Sequence, residues 1–207
     1  MTGVRLIDHL DRVLRLVTEK SCIAAGWGLV ILSSVVVVNI ITRKFFNISI
    51  QGVDEYGGYC LAISASFGFA QAAYEKAHVR ISILTDRLPI SWRAVSDVVA
   101  LILLTLVAIL LAVKAFDTAM DSYHMRARAT SALRTPLVYP QAIWAAALCW
   151  FAFVLSIQFI RSVLMLAQRN WAGIERDYGA ASVDEEVEKE LETAKARMLT
   201  ETAGDKQ

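Results

Sequence analysis

The sequence predicts an all-α integral membrane fold: four transmembrane helices, both termini cytoplasmic, an N-terminal amphipathic helix and a short cytoplasmic C-terminal helix. Three observations predict it. The 207-residue chain is 56% hydrophobic with a mean hydropathy of +0.47, above the roughly 45–50% apolar usage of soluble domains. The apolar residues are also concentrated. No charge occurs from Ser21 to Thr42 or from Leu137 to Ile160, and each run meets the roughly 20 residues needed to cross a hydrocarbon core of about 30 Å. The third observation is where the basic residues fall. Arg5, Arg12, Arg15, Lys20, Lys76, Arg80, Arg87, Arg93, Arg161, Arg169 and Arg176 flank the spans on one side, and Arg43, Lys44, Arg126, Arg128 and Arg134 on the other. The first set is more than twice the second, which assigns its side to the cytoplasm.

The elements follow in chain order. Residues 1–20 form a cytoplasmic amphipathic helix with Ile7, Leu10, Leu14 and Val17 on one face and Arg5, Arg12 and Arg15 interspersed. Such a helix either lies on the membrane surface or extends the first span into the cytoplasm. It is too long a lead for a cleavable signal, so the first apolar run is expected to be retained. The four spans, about 21–41, 54–74, 94–119 and 137–160, make up a transmembrane domain over 21–165. "VVVV" at 35–38 is β-branched, but a lone strand in lipid would leave its backbone unpaired, and a helix does not.

Span two, "DEYGGYCLAISASFGFAQAAY", is the least apolar. Gly57, Gly58, Gly68 and Gln71 dilute it, and small residues allow helices to approach closely in a membrane. It is expected to pack against protein. Span three continues towards Met125, giving about 30 residues and about 45 Å, longer than the core, so it tilts or projects. Lys114, Asp117, Asp121 and His124 share one face of the projecting end. They are either a solvated face with local ion pairs or a docking stripe. Pro136 and Pro140 flank the start of span four, where a missing N–H costs little. Trp144 and Trp150 suit an interface or a helix contact. In the tail, 166–207, Ser182 and Glu185 have capping-box spacing ahead of a thin apolar stripe ending at Met198.

Several function classes are excluded or disfavoured. A net charge of +1 gives no basic excess for nucleic acid. Cys22, Cys60 and Cys149 form no CxxC pair and read as small packing residues. No charge lies near the span centres, where a coupled transporter would carry a carboxylate or a broken helix. His78 and His124 fall on opposite sides and His9 lies outside the spans, so no pair can share one haem. No P-loop, nucleophile elbow or metal spacing is present. The chain reads as a scaffold or accessory subunit, without catalytic, substrate-binding or metal residues and without a cofactor.

One stretch carries more. "GVDEYGGYCLAISASFGFAQAAYEKAHVRISIL", then "DRLP", resembles the small membrane subunit of TRAP transporters (tripartite ATP-independent periplasmic transporters), the DctQ-like family. The shared pattern is an acidic pair, Asp54 and Glu55, opening span two, then a Gly/Ala-rich helix. A His-Val-Arg motif at His78 to Arg80 and Leu-Pro at Pro89 follow. "TPLVYPQAIW", Thr135 to Trp144, is similar to the family's approach to span four. Two departures are Ser82, where an acidic residue is frequent and Asp86 stands nearby, and an Asp-Glu pair in place of two glutamates.

The resemblance implies a three-part uptake system of a bacterial or archaeal cytoplasmic membrane, working without ATP. A periplasmic substrate-binding protein captures an organic anion, by default a C4-dicarboxylate. A large multi-span membrane subunit moves it with sodium, and this small subunit braces that partner as a stator. The polar stretch from Tyr74 to Arg93 is then a cytoplasmic connector. His78 and Arg80 are expected to bond helix-end carbonyls or Asp86, or else to meet lipid headgroups. Glu55 is expected to take a bond from Arg43 or an outer-loop arginine, or else to stand solvated at a helix start. Arg126, Arg128 and Arg134 are candidates for docking the binding protein. The remaining readings are the membrane anchor of a redox complex and an unrelated assembly factor or self-associating protein.

Overall fold

The computed structural model describes residues 2–75 and 89–168, together with Gly173, Asp177, Leu191, Ala194 and Lys195. His78, Arg80 and Asp86 lie outside the described residues, as does nearly all of the expected tail helix.

Four helices carry the fold: α1 (Thr2–Phe46), α2 (Val53–Tyr74), α3 (Ile90–His124) and α4 (Val138–Ala167). Three of them are long and apolar enough to cross a membrane, over Leu10–Phe46, Trp92–His124 and Val138–Ala167. α2 has the length, 22 residues, or about 33 Å. Its acidic first turn and its glycines and serines hold its composition below that of the other three.

α1 is a single helix of 45 residues. Of the two readings of the N-terminal segment, the structure therefore has the extension of the first span. The apolar stripe read from sequence is not the face that packs. Leu14 is buried, while Leu10 and Val17 stay exposed, and the packed face is Asp11, Leu14 and Thr18. α1 stops at Asn47, whose φ of 53° is left-handed. The Asn39 side chain, about two turns below the helix end, accepts the Ile50 N–H at 2.8 Å and ties the connection down. Arg43 and Lys44 occupy the last turn, where the helix dipole favours cations.

α3 is longer than expected. It begins straight after Pro89, where φ is −58°, so the ring sets the backbone that enters the helix without losing a needed donor. Its 35 residues give about 52 Å, well beyond a hydrocarbon core. α4 starts at Val138 and carries Pro140 in its first turn, where N–H groups have no helical partner. It runs past Ile160 to Ala167.

The helices lie in a row and not in a closed bundle. α1 packs on α2, α2 on α4, and α4 on α3, with a smaller contact of α1 to α4. α4 is thus the central helix and is buried on two sides. Ala145, Leu148, Ala152, Leu155 and Ser162 line one side. Ala147, Phe151, Val154 and Gln158 line the other, where Phe151 meets Phe69 of α2 at 5.8 Å between ring centres.

The tightest joint is between α3 and α4. On α3, Ala94, Val98, Leu101, Thr105, Ala108, Ala112, Ala115, Ala119 and Ser122 are all buried. They alternate steps of four and three, the repeat of a left-handed coiled coil. Five of the nine are alanine, so the backbones can approach closely and gain dispersion contacts where hydrophobic collapse gives no advantage in lipid. Thr105 returns its hydroxyl to the Leu101 carbonyl at 2.7 Å and so adds no unpaired donor to the seam. Sequence reasoning placed the small-residue contact on α2 instead. There a Cβ on Gly58 or Gly68 would meet nothing within 4 Å, and one on Gly57 only Leu32 Cδ1 at 3.8 Å. Among the described residues, only Gly57 of the three lies against another helix, at Leu32 of α1.

Candidate functional site

Polar side chains gather at the two ends of the row. At the end carrying the α3–α4 loop, Glu55 is the organising group. It stands in the first turn of α2 beside Asp54. Tyr59, one turn on, donates its hydroxyl to Glu55 Oε1 at 2.9 Å. Ser131 of the α3–α4 loop donates to Oε2, and Thr135 lies beside the same carboxylate. The partners are hydroxyls and not the expected arginines; Arg43, Arg126, Arg128 and Arg134 make no ion pair with Glu55 among the described residues. Asp54 is exposed.

The loop reaches Glu55 because it is itself folded. Ala129 N–H bonds to Thr135 O at 2.9 Å, and Leu137 N–H to Ala127 O at 3.1 Å. Arg128 and Pro136 pair as an antiparallel bridge. Arg126 precedes the first arm of this small hairpin and Arg134 the second, both left-handed, with φ of 49° and 48°. Its tip rests on the start of α2. Gly52, with φ +85°, lies so close beneath Leu133 that a Cβ there would collide with the leucine. Glycine meets both demands at once: it adopts the left-handed turn freely and leaves room for the side chain above. Arg126, Arg128 and Arg134 all point into solvent-accessible space. Pro136 and Pro140 sit in the run from hairpin to α4 and are half-buried.

At the other end, four separate parts of the chain meet. Tyr74, the last residue of α2, donates its hydroxyl to Asp11 Oδ1 at 3.2 Å. Arg161 of α4 pairs with Asp11 Oδ2 at 3.1 Å and with Asp177 of the tail at 3.0 Å. The three charged side chains are about four-fifths shielded, so these contacts are less screened than surface pairs. Two turns further along α1, Thr18 accepts the Trp150 indole N–H at 3.1 Å. Gln71 donates to Glu75 at 3.0 Å. On the projecting end of α3, Lys114 and Asp117 form an exposed local pair at 3.2 Å, as the solvated-face reading of that stripe expects. No group of three or more metal-ligating side chains occurs among the described residues.

None of Tyr59, Ser131, Leu133, Gly52, Asp11 or Arg161 stood out in the sequence as a site. Only Arg161 carried a signal, as a charge directly after an apolar run, and it named no partner. The family model for tripartite ATP-independent periplasmic transporters, DctQ component, matches residues 32–165, well over half of the chain. The chain belongs to the DctQ family. Its match runs from the middle of α1 to the last turns of α4 and takes in the Glu55 corner, the alanine seam and Arg161. A TRAP transporter small permease protein of Haemophilus influenzae is 28% identical over 154 residues, covering 74% of this chain and 88% of that protein. No solved structure gives a significant match. This DctQ chain is therefore a small subunit of a TRAP system and a multi-pass membrane protein.

Proposed function

We propose that this DctQ chain is the fixed, bracing subunit of a sodium-coupled TRAP transporter. It holds the scaffold of a large multi-span membrane subunit during binding-protein-dependent uptake of an organic anion, a carboxylate such as a C4-dicarboxylate. α2 serves as the fourth span, both termini are cytoplasmic, and the membrane is the bacterial or archaeal inner membrane. The observation that carries the reading is the open row of helices. α1 has no fully buried residue in the most apolar part of its length, and the α2 face bearing Asp54, Gly58, Ala62 and Ala65 is exposed. A small-residue face of this kind seats another helix closely, and a rigid row with a broad flank is what bracing requires.

The hairpin arginines are read as the contact for the periplasmic binding protein. Arg126 and Arg134 hold left-handed backbone that costs a non-glycine residue about 1–2 kcal/mol, which supports use of their side chains. Reversing their charge should slow transport at limiting binding protein and weaken its salt dependence. Unchanged kinetics would place docking elsewhere.

The deciding experiment is purification of the tagged chain from its native membranes in mild detergent, with mass spectrometry of what accompanies it. A stoichiometric, much larger multi-span protein is expected. In proteoliposomes, that protein should take up labelled dicarboxylate with its binding protein and sodium, and lose uptake when this chain is left out. Recovery of the chain alone overturns the reading.

A further inference from the structure

A groove of about 770 Å³ runs between α1 and α2 and is closed on one side by the start of α4. Its volume lies in the roughly 300–1,000 Å³ range of sites that bury a small molecule. Its walls are hydrocarbon and tyrosine rings, among them Leu32, Val35, Ile63 and Tyr139. Two of the polar groups that border it are already engaged. Tyr59 is spent on Glu55, and Ser64 donates to the Ala25 carbonyl at 3.1 Å. The walls therefore offer an occupant almost nothing but apolar contact.

The dimensions decide what that occupant is. The lining runs from Ala25 to Val35 on α1 and from Gly52 to Ser64 on α2, about 15–18 Å of helix. That is about half the thickness of a hydrocarbon core of about 30 Å, the length of one acyl chain. At its deep end the groove is pinched shut. The Ser64–Ala25 bond joins the two helices there, and Gly28 lies against Cys60, whose Sγ would be 3.6 Å from a Cβ on that glycine. At the other end it reaches the α1–α2 connection and Tyr56 and Tyr139, both more than half exposed. A helix that crosses the membrane needs a channel of full depth, whereas a lipid chain ends at the midplane. The charges beyond the mouth suit a phosphate. Arg134 precedes Thr135 of the wall in sequence, and Arg43 and Lys44 end α1 about 12–14 Å past Val35 along the helix, against the exposed carboxylate of Asp54.

We propose that this groove holds one acyl chain of a membrane glycerophospholipid, with its phosphate at the cationic rim. The bound lipid fills the space that α1 and α2 leave open and holds their splayed ends at a fixed separation. Unlike lipid on the outer face of α3, it exchanges slowly.

The test uses the full chain, with whatever protein accompanies it, in liposomes of phosphatidylethanolamine and phosphatidylglycerol carrying a photoreactive diazirine in the acyl chain. Adducts are mapped by mass spectrometry. Labelling at Leu32 and Ile63 is expected to exceed that at Leu106 and Leu110 of α3 severalfold and to persist after a chase with unlabelled lipid. Ile63→Trp and Val35→Trp, which fill the groove, should remove those adducts and keep the α3 adducts, which also report a folded chain. If a variant loses both sets, the chase in the unaltered chain decides. Equal labelling of groove and α3, or adducts lost at the same rate in the chase, means ordinary boundary lipid and overturns the proposal. Groove residues cross-linked to an accompanying protein would assign the space to a partner helix and overturn it as well.

Discussion

The Asp11 carboxylate, near the start of α1, and the Arg161 guanidinium, near the end of α4, meet at 3.1 Å across 150 positions of sequence. Their exposures of 17% and 21% leave both mostly desolvated. Tyr74 and Asp177 complete the network, so one junction ties α1, α2, α4 and the tail. Asp11→Asn and Arg161→Gln should each destabilise by about 1.5–3 kcal/mol, the range for hydrogen bonds to charged groups. The double variant should lose less than the sum of the two by at least about 0.5 kcal/mol. Reversible unfolding in mixed micelles gives the cycle; strict additivity would show that the pair is not coupled.

Gly52 makes a second prediction with two separable parts. Gly52→Ala meets an unfavourable φ, worth about 1–2 kcal/mol, and a collision with Leu133. Adding Leu133→Ala relieves the collision and leaves the backbone cost. A thermal-stability series of the single and double variants should therefore show partial rescue. Full rescue would mean that the φ of +85° carries no cost.

Glu55 anchors the hairpin through Ser131 and Thr135, so its replacements should rank in order. Glu55→Gln retains an acceptor and the hydroxyls can turn to suit its amide, so the change should be small. Glu55→Ala strands Tyr59 and Ser131 and should cost about 1–3 kcal/mol. Proteolysis of the loop between Arg126 and Arg134 offers a local readout: faster cleavage is expected in Glu55→Ala and in Ser131→Ala. A hairpin equally protected in all variants would refute the anchoring role.

The alanine seam predicts an asymmetry around α3. Ala108 has no exposed surface, and Ala108→Leu should cost about 1–3 kcal/mol or more through overpacking against α4. Leu110 is 59% exposed, and Leu110→Ala should stay within about 0.5 kcal/mol, as for other exposed positions. Comparable losses at both sites would contradict the seam.

The helices were legible in the sequence because uncharged runs of this length have few alternatives in a bilayer. Their neighbours were not. Alanine marks no seam in a hydropathy pattern: it is apolar, helix-favouring and unremarkable, so the spacing from Ala94 to Ser122 passes as more hydrophobic helix. Glycine is conspicuous, and Gly58 and Gly68 drew attention to a face this chain does not pack. The Glu55 corner depended on Ser131, a neutral residue in a loop, and a hydroxyl advertises no partner in the way that an arginine does. The Asp11–Arg161 pair could only be read once the helices were in order. The N-terminal stripe could not identify the packed face, because exposed apolar residues are ordinary in lipid.

The row of helices has a consequence for synthesis. α4 is made last, yet it stands between α2 and α3. While the ribosome extends the chain, α1 and α2 can pair at once. α3 has no extensive partner until Ala167 has emerged, roughly 2–9 s after His124 at about 5–20 residues per second. During that interval its alanine face is open in the lipid or held by the insertion machinery. A chain that stalls or is cut before Val138 is thus left with a paired hairpin and an orphan helix, which quality control can distinguish from a finished subunit.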